Sequence, residues 1–337
     1  MRASLSKKII TIFVALVISL LATEVLLRIF GTGPWKNVLI NDSVTEKLIY
    51  TPDSTLGWKA KEGSYLLHPA DPKGKQFHTT IGKEGQRKTG ENNGGVDGQI
   101  LVIGGSFSQG WGVNDEDTFS SKLQKKYTNF KVYNFGQGGY GSLQSLLLLE
   151  EQIPKMKSPK LVVYGFIEHH EYRNVARGAW LRTLAKYSKR GHVKTPFGYI
   201  GKNNKLIKHP PIGYINLPLR EVSSLVTLIE KVYMKFITKK RKKQQQLVTE
   251  KIILQMKEIS NKFDSNFVLT ILDWSNRFTI NHYESFLKEN KIKFVNCAVS
   301  LTGEMVVPGD YHPSGKAHSH YNECLSNYIK KEKLILY

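Results

Sequence analysis

The sequence predicts an α/β fold with a mainly parallel sheet, carried behind one N-terminal transmembrane helix. Three observations lead there. Short apolar runs alternate with helix-periodic stretches, which implies parallel pairing and helices layered on a sheet. The first of these runs ends in Gly104-Gly105, as a strand buried on both faces does when it meets a turn. The 337 residues are 40% hydrophobic and 11% aromatic, enough to bury one large or two modest cores.

Residues 1–8 carry Arg2, Lys7 and Lys8, and residues 9–27 read IITIFVALVISLLATEVLL with Glu24 as the only charge. At about 1.5 Å per residue the stretch spans roughly 28 Å, close to one hydrocarbon core. The basic flank places the N-terminus in the cytoplasm and the rest outside, a single-pass protein of the cell membrane. A cleaved signal peptide is the alternative, because Ser19-Leu20-Leu21-Ala22 ends in a small residue. Val25-Leu26-Leu27 and Ile29-Phe30 continue the apolar stretch past Ala22 and favour an uncleaved anchor.

Residues 31–96 are polar and rich in Gly, Pro, Asn and Lys. They suit an extracytoplasmic linker or N-terminal extension with short extended pieces at Gly63–Leu67 and 76–80, closed by a loop at Gly90-Glu91-Asn92-Asn93-Gly94-Gly95. Strands follow at 99–103, 132–135, 160–167, 266–272 and 293–296. Helices are expected over 117–127, 142–152, 247–262 and 279–289. Ligands of such sheets bind at the C-terminal ends of the strands.

An insertion over 175–245 breaks the rhythm. It holds 17 Lys+Arg against 2 Asp+Glu, so +15 of the formal +21 lies there. Leu225, Leu228, Ile229, Val232, Tyr233, Phe236 and Ile237 form an apolar face at helical spacing, followed by Lys239-Lys240-Arg241-Lys242-Lys243. Such a helix either packs on the domain with a solvated basic end or lies on an anionic membrane surface. Behind a membrane anchor, nucleic acid is not the expected partner. An anionic lipid or polymer is. Two cysteines, Cys297 and Cys324, rule out a disulfide framework or a Cys-based zinc site as the basis of the fold.

Gly104-Gly105-Ser106-Phe107-Ser108-Gln109-Gly110 stands where the first core strand ends, so the Ser106 hydroxyl is held at the sheet's C-terminal edge. The segment is not a Walker A loop, because Trp111-Gly112 stands where Lys-Ser/Thr is needed, and Ser106 occupies the second Gly of a dinucleotide fingerprint. The Gly-x-Ser-x-Gly elbow is not met either. Near the end of the chain, Pro308-Gly309-Asp310-Tyr311-His312-Pro313 places a carboxylate and an imidazole in one turn. Those are the base and the orienting group that a serine nucleophile needs.

In their order these blocks resemble the SGNH/GDSL hydrolases, including membrane-anchored members that modify polysaccharides. The nucleophile block is 104–113, and Asn134-Phe135-Gly136-Gln137-Gly138-Gly139-Tyr140-Gly141 is similar to the Gly block of the oxyanion hole. Asp310-Tyr311-His312-Pro313 looks like the Asp/His block. The resemblance covers about 99–174 and 265–330. It implies a three-layer α/β/α hydrolase domain over 97–337 with a catalytic triad of Ser106, His312 and Asp310. The Gly-x-Asn-Asp block is missing, and Glu168-His169-His170-Glu171-Tyr172-Arg173-Asn174 stands in its place, similar to the His-x-x-Arg-Asn ending of some anchored members. The resemblance thus points to an oxyanion hole of Ser106 N–H, Gly139 N–H and the His170 side chain, with Arg173 behind it or on the substrate. No metal or cofactor is implied, and adjacent His169, His170 and Glu171 are poorly spaced for one metal on a helix. Trp274 is a candidate for stacking on a sugar, and His318 and His320 are expected at the surface or helix end.

The expected activity is a serine esterase or O-acyltransferase acting on a cell-envelope or secreted polysaccharide. Two alternatives stand beside it. One is a non-catalytic member that binds an anionic glycan or lipid surface, and the other is an esterase acting on lipid.

Overall fold

The computed structural model describes residues 2–37, 49–69, 71, 74–91, 97–187, 193–275 and 277–335. The loop expected at 90–95 therefore lies outside the described residues from 92 onward, as do 188–192 of the insertion. Helix α1 (Arg2–Ile29) meets the rest of the protein near its C-terminal end, and its segment Leu5–Ile29 is long and apolar enough to cross a membrane, a test that a signal sequence also passes. Two antiparallel hairpins follow: β1 (Tyr50–Asp53) with β2 (Gly57–Ala60), and β3 (Gly63–Leu67) with β4 (Phe77–Ile81).

The core begins with β5 (Gly98–Gly104), a short helix α2 (Ser106–Gln109), α3 (Phe119–Lys126), β6 (Phe130–Asn134), α4 (Ser142–Gln152) and β7 (Pro159–Ile167). Helix α5 (His170–Asn174) follows, and the insertion contributes α6 (Gly178–Tyr187), the hairpin β8 (Thr195–Ile200) with β9 (Leu206–Ile212), α7 (Ser224–Ile237) and α8 (Lys239–Lys242). The core then resumes with α9 (Gln245–Lys262), β10 (Asn266–Asp273), α10 (Arg277–Glu289), β11 (Lys293–Asn296) and α11 (Gly315–Lys331).

Five strands form one all-parallel sheet in the order β11-β10-β7-β5-β6. Alternate side chains face opposite layers, as strand geometry requires. Leu101, Ile103, Val162, Tyr164, Phe166, Leu269 and Ile271 pack with Leu146 and Leu149 of α4 and Ile252 and Met256 of α9. Ile100, Val102, Leu161, Val163, Val268 and Leu272 pack with Phe119 and Leu123 of α3 and Tyr321 and Leu325 of α11. Each fully buried aliphatic chain contributes about 1.5–3 kcal/mol, so helices on both faces make the three-layer α/β/α stack stable.

The described part of the segment read as a linker or N-terminal extension packs against the core. Trp58 packs edge-on against Tyr140 at 5.4 Å and its indole donates to Gly138 O, while the Tyr50 hydroxyl donates to Gln109 Oε1 and accepts from Gly138 N–H. Helix α7 also turns the other way from a domain-packing helix. It buries Ser224, Thr227, Glu230 and Met234 and leaves Ile229, Val232, Tyr233, Phe236 and Ile237 exposed. Two inward polar groups find partners: Thr227 Oγ1 donates to Arg220 O at 3.1 Å, and Glu230 Oε1 accepts from Leu217 N–H at 2.7 Å and lies 3.9 Å from Arg220. The two cysteines pair as one disulfide, Cys297–Cys324, joining the chain after β11 to α11.

Candidate active site

Ser106 is the first residue of α2, where β5 ends at the C-terminal edge of the sheet. The turn after it closes through Gly110 N–H donating to Ser106 O. A buried guanidinium fixes this loop from below. Arg87 Nη1 donates to Gln109 O and Gly110 O, Nη2 to Val113 O and His78 O, and Nε to Asp115 Oδ1 at 2.8 Å. All five guanidinium donors are thus used in one residue that is 1% exposed.

Asp310 and His312 lie in the loop before α11. Val306 and Pro313 pair as a bridge, Val307 N–H donates to His312 O, and Asp310 N–H donates to Val307 O. Ser314 then caps α11. This loop meets α2 across 206 residues of sequence, with His312 Nε2 2.9 Å from Ser106 Oγ. His312 Nδ1 is hydrogen-bonded to Asp310 Oδ1. The carboxylate can only accept, so Nδ1 carries the proton and Nε2 is left to receive one from Ser106. Trp111 donates its indole N–H to Asp310 Oδ2 at 3.2 Å, and Phe107 packs edge-on against the His312 ring at 5.7 Å. Neither Trp111 nor Phe107 was singled out from the sequence. Their place right after Ser106 was the available signal.

Gly139 has φ +79, a conformation that favours glycine, and an added Cβ would stand 3.1 Å from the Trp58 ring. Among the described residues neither Ser106 N–H nor Gly139 N–H donates to a protein acceptor. Both are therefore available to an oxyanion.

The expected third donor is corrected. His170 has no exposed surface and lies behind Gly105, where an added Cβ would stand 2.8 Å from its Nε2. Tyr164 donates its hydroxyl to Ser142 Oγ, so its oxygen accepts from His170 Nδ1–H at 2.8 Å. Nε2 is then the unprotonated nitrogen, and burial, aided by Arg173, pushes the imidazole pKa well below its ordinary value. A buried nitrogen without a proton donates to nothing in the cleft. Arg173 is also corrected as a substrate contact: it is buried, its Nη1 donates to Tyr140 O at 3.0 Å, and its guanidinium lies 4.7 Å over Trp180. It holds the Gly block from behind. Trp274 is half-buried and forms a three-ring cluster with Phe166 at 5.1 Å and Tyr283 at 5.3 Å, tilted to both. His169 is exposed beside the Tyr172 ring, and Glu171 accepts from Tyr283 and Gln245. His318 is fully buried, stacked 6.0 Å from Phe119 and accepting its N–H, while His320 is exposed. No cluster of potential metal ligands occurs among the described residues.

The chain is thus a three-layer α/β protein with serine, histidine and aspartate aligned at the C-terminal edge of its sheet. No protein-family model matches it, and no curated protein does. Among solved structures it is similar to a lipolytic protein of the G-D-S-L family from Desulfitobacterium hafniense DCB-2 (TM-score 0.40, 15% identity, 69% of this chain and 99% of that one). It is similar to TesA (TM-score 0.41, 14% identity, 70% and 99%) and to a G-D-S-L family member from Veillonella parvula DSM 2008 (0.40, 10%, 69% and 98%). The chemical assignment rests on the distances above.

Proposed function

We propose that the protein is an anchored serine esterase of SGNH type, acting outside the cytoplasm on an acylated cell-envelope glycan. The observation that carries this reading is the hydrogen-bonded line from Ser106 Oγ through the His312 imidazole to Asp310. Ser106 Oγ attacks the ester carbonyl while its proton passes to His312 Nε2. Asp310 stabilises the imidazolium through Nδ1–H, and the N–H groups of Ser106 and Gly139 stabilise the tetrahedral oxyanion. Collapse expels the alcohol, which takes the proton from His312, and leaves the acyl group esterified on Ser106. Water then deacylates the enzyme in hydrolysis, or a sugar hydroxyl does so in O-acyl transfer. The cycle uses protein groups only.

Two further features support the envelope setting. Tyr311, beside His312, is 93% exposed and offers a ring to a sugar face at the rim of the site, the role first expected of Trp274. The Cys297–Cys324 disulfide fits an oxidising compartment.

The test is turnover of an aryl acetate and an O-acetylated glycan by the full chain in detergent. Ser106→Ala and His312→Ala are each expected to lose at least about a thousandfold in kcat/KM. Undiminished turnover in Ser106→Ala would sink the mechanism. The second reading, a non-catalytic binder of anionic glycan, is motivated by the withdrawal of His170 from the oxyanion site. It predicts that an active-site phosphonate leaves Ser106 unlabelled.

A further inference from the structure

Helix α7 exposes its apolar side, although a helix in water normally turns that side inward. Phe236 is 75% exposed, Val232 58%, Ile229 49% and Tyr233 47%, on the side opposite the buried Thr227, Glu230 and Met234. The loop before α7 adds Leu219 at 70% and Val222 at 63%. Among the described residues nothing covers this surface. At its far end Lys239, Lys240, Lys242 and Lys243 are exposed, with no acidic residue in α8.

The structure also fixes where the surface lies relative to the apolar N-terminal helix. Glu24 accepts from Ser223 Oγ–H at 2.9 Å, Ser224 N–H at 2.8 Å and Leu225 N–H at 3.1 Å, so a residue of α1 caps α7. Arg28 donates to Val222 O at 2.8 Å and pairs with Glu24. Just beyond α1, Trp35 is buried. Its N–H donates to Arg220 O, the Arg220 guanidinium lies 4.1 Å over its ring, and Tyr214 stacks on it at 5.4 Å. Counting from Lys8 as the inner boundary, about 20 residues at about 1.5 Å each cross a core of about 30 Å, which puts the outer boundary near Arg28. Glu24 is about one turn below it. The start of α7 is therefore held at the depth where interfacial helices lie, roughly 5–10 Å into the headgroup boundary.

We propose that α7 is a second membrane contact. It lies on the outer leaflet of the bilayer that holds α1, with Ile229, Val232, Tyr233, Phe236 and Ile237 facing lipid and the basic run of α8 against anionic headgroups. The capping of α7 by Glu24 turns a flexible tether into a fixed mount and sets the orientation of the catalytic domain over the surface. It also accounts for the one acidic residue in the spanning stretch, and for charge concentrated away from the near-neutral core. The proposal is independent of the chemistry at Ser106.

The experiment uses the full chain in vesicles of phosphatidylcholine with or without phosphatidylglycerol. Phe236→Cys carries an environment-sensitive nitrobenzoxadiazole label, and Lys125→Cys, exposed on α3, is the aqueous reference. Cys297 and Cys324 are bonded and do not compete for label. The label at 236 is expected to emit at shorter wavelength than that at 125, to lose most of its emission to spin-labelled lipid, and to resist aqueous iodide. Reversing Lys239, Lys240, Lys242 and Lys243 to Glu is expected to reduce the lipid quenching in phosphatidylglycerol vesicles, and Glu24→Ala to reduce it in both lipids, with circular dichroism unchanged. Water-like emission quenched by iodide would overturn the proposal. So would protection from iodide and lipid quencher alike, the signature of a second protein copy covering the face. Equal quenching of the charge-reversed and parent chains would overturn the role of the basic run.

Discussion

Around His312 each neighbour has a separable task. Trp111 holds the Asp310 oxygen that His312 does not use. Removing its indole N–H costs one hydrogen bond to a charged group, about 1.5 kcal/mol, so Trp111→Phe is expected to lower kcat about tenfold with KM little changed. Steady-state kinetics on an aryl acetate check this, and an unchanged kcat would show that Asp310 needs no such support. Tyr311 acts differently, because it touches neither catalytic partner. Tyr311→Ala is expected to raise KM for an acylated glycan while leaving aryl acetate turnover intact. The buried histidines instead affect stability. Burial pulls the His318 pKa down to about 3, and His170 is lowered too. Both stay neutral in the fold while the unfolded chain takes up protons below about pH 6.5. Stability is therefore present above that value and is lost as pH falls, by about 1.4 kcal/mol per unit for each histidine until its folded pKa is reached. Melting temperatures measured from pH 7 to pH 4 are expected to fall steadily, and His318→Gln to flatten part of that slope.

At the scale of elements, the nucleophile turn is only as rigid as what holds it. Four carbonyls and one carboxylate converge on Arg87, from β4, from the turn after α2 and from the segment leading to α3. Arg87→Met removes every one of those bonds and leaves buried acceptors unpaired. A loss of about 3–5 kcal/mol is expected, read as a lowered denaturant midpoint. A midpoint within about 0.5 kcal/mol of the parent, the range of ordinary surface changes, would deny the clamp. Nothing local in the sequence marked Arg87, since it lies in a polar stretch whose strands are short and four of its five partners sit more than twenty residues away. The same applies to β1, β2, β8 and β9, which are hairpins without a long apolar run. By contrast β5, β7 and β10 are near-continuous apolar segments, and α4 and α9 keep helical spacing over several turns, so their positions were legible to within a few residues.

At the scale of the molecule, the disulfide and the N-terminal contacts fasten peripheral parts to the sheet. Cys297 and Cys324 close a loop of 27 residues. Replacing both by Ser is expected to cost about 3–4 kcal/mol through the freed unfolded chain, seen equally as a drop in melting temperature on reduction. The sequence by itself determined the apolar N-terminal helix, the parallel α/β core and the order of the Ser106, Gly139 and Asp310/His312 blocks. Those rest on periodicity, on short-range turn chemistry and on motif order, all carried in the chain's own neighbourhood. Only the tertiary structure decided that Ser106 and His312 meet, that His170 is sealed behind Gly105, and that α7 turns its apolar side outward beside Glu24. A side chain's partners across some 200 residues, and the choice of which helix face is buried, follow from long-range packing and from where polar groups find hydrogen bonds. Periodicity shows that α7 has an apolar face, but only the buried Glu230 and the capping Glu24 fix which way it points.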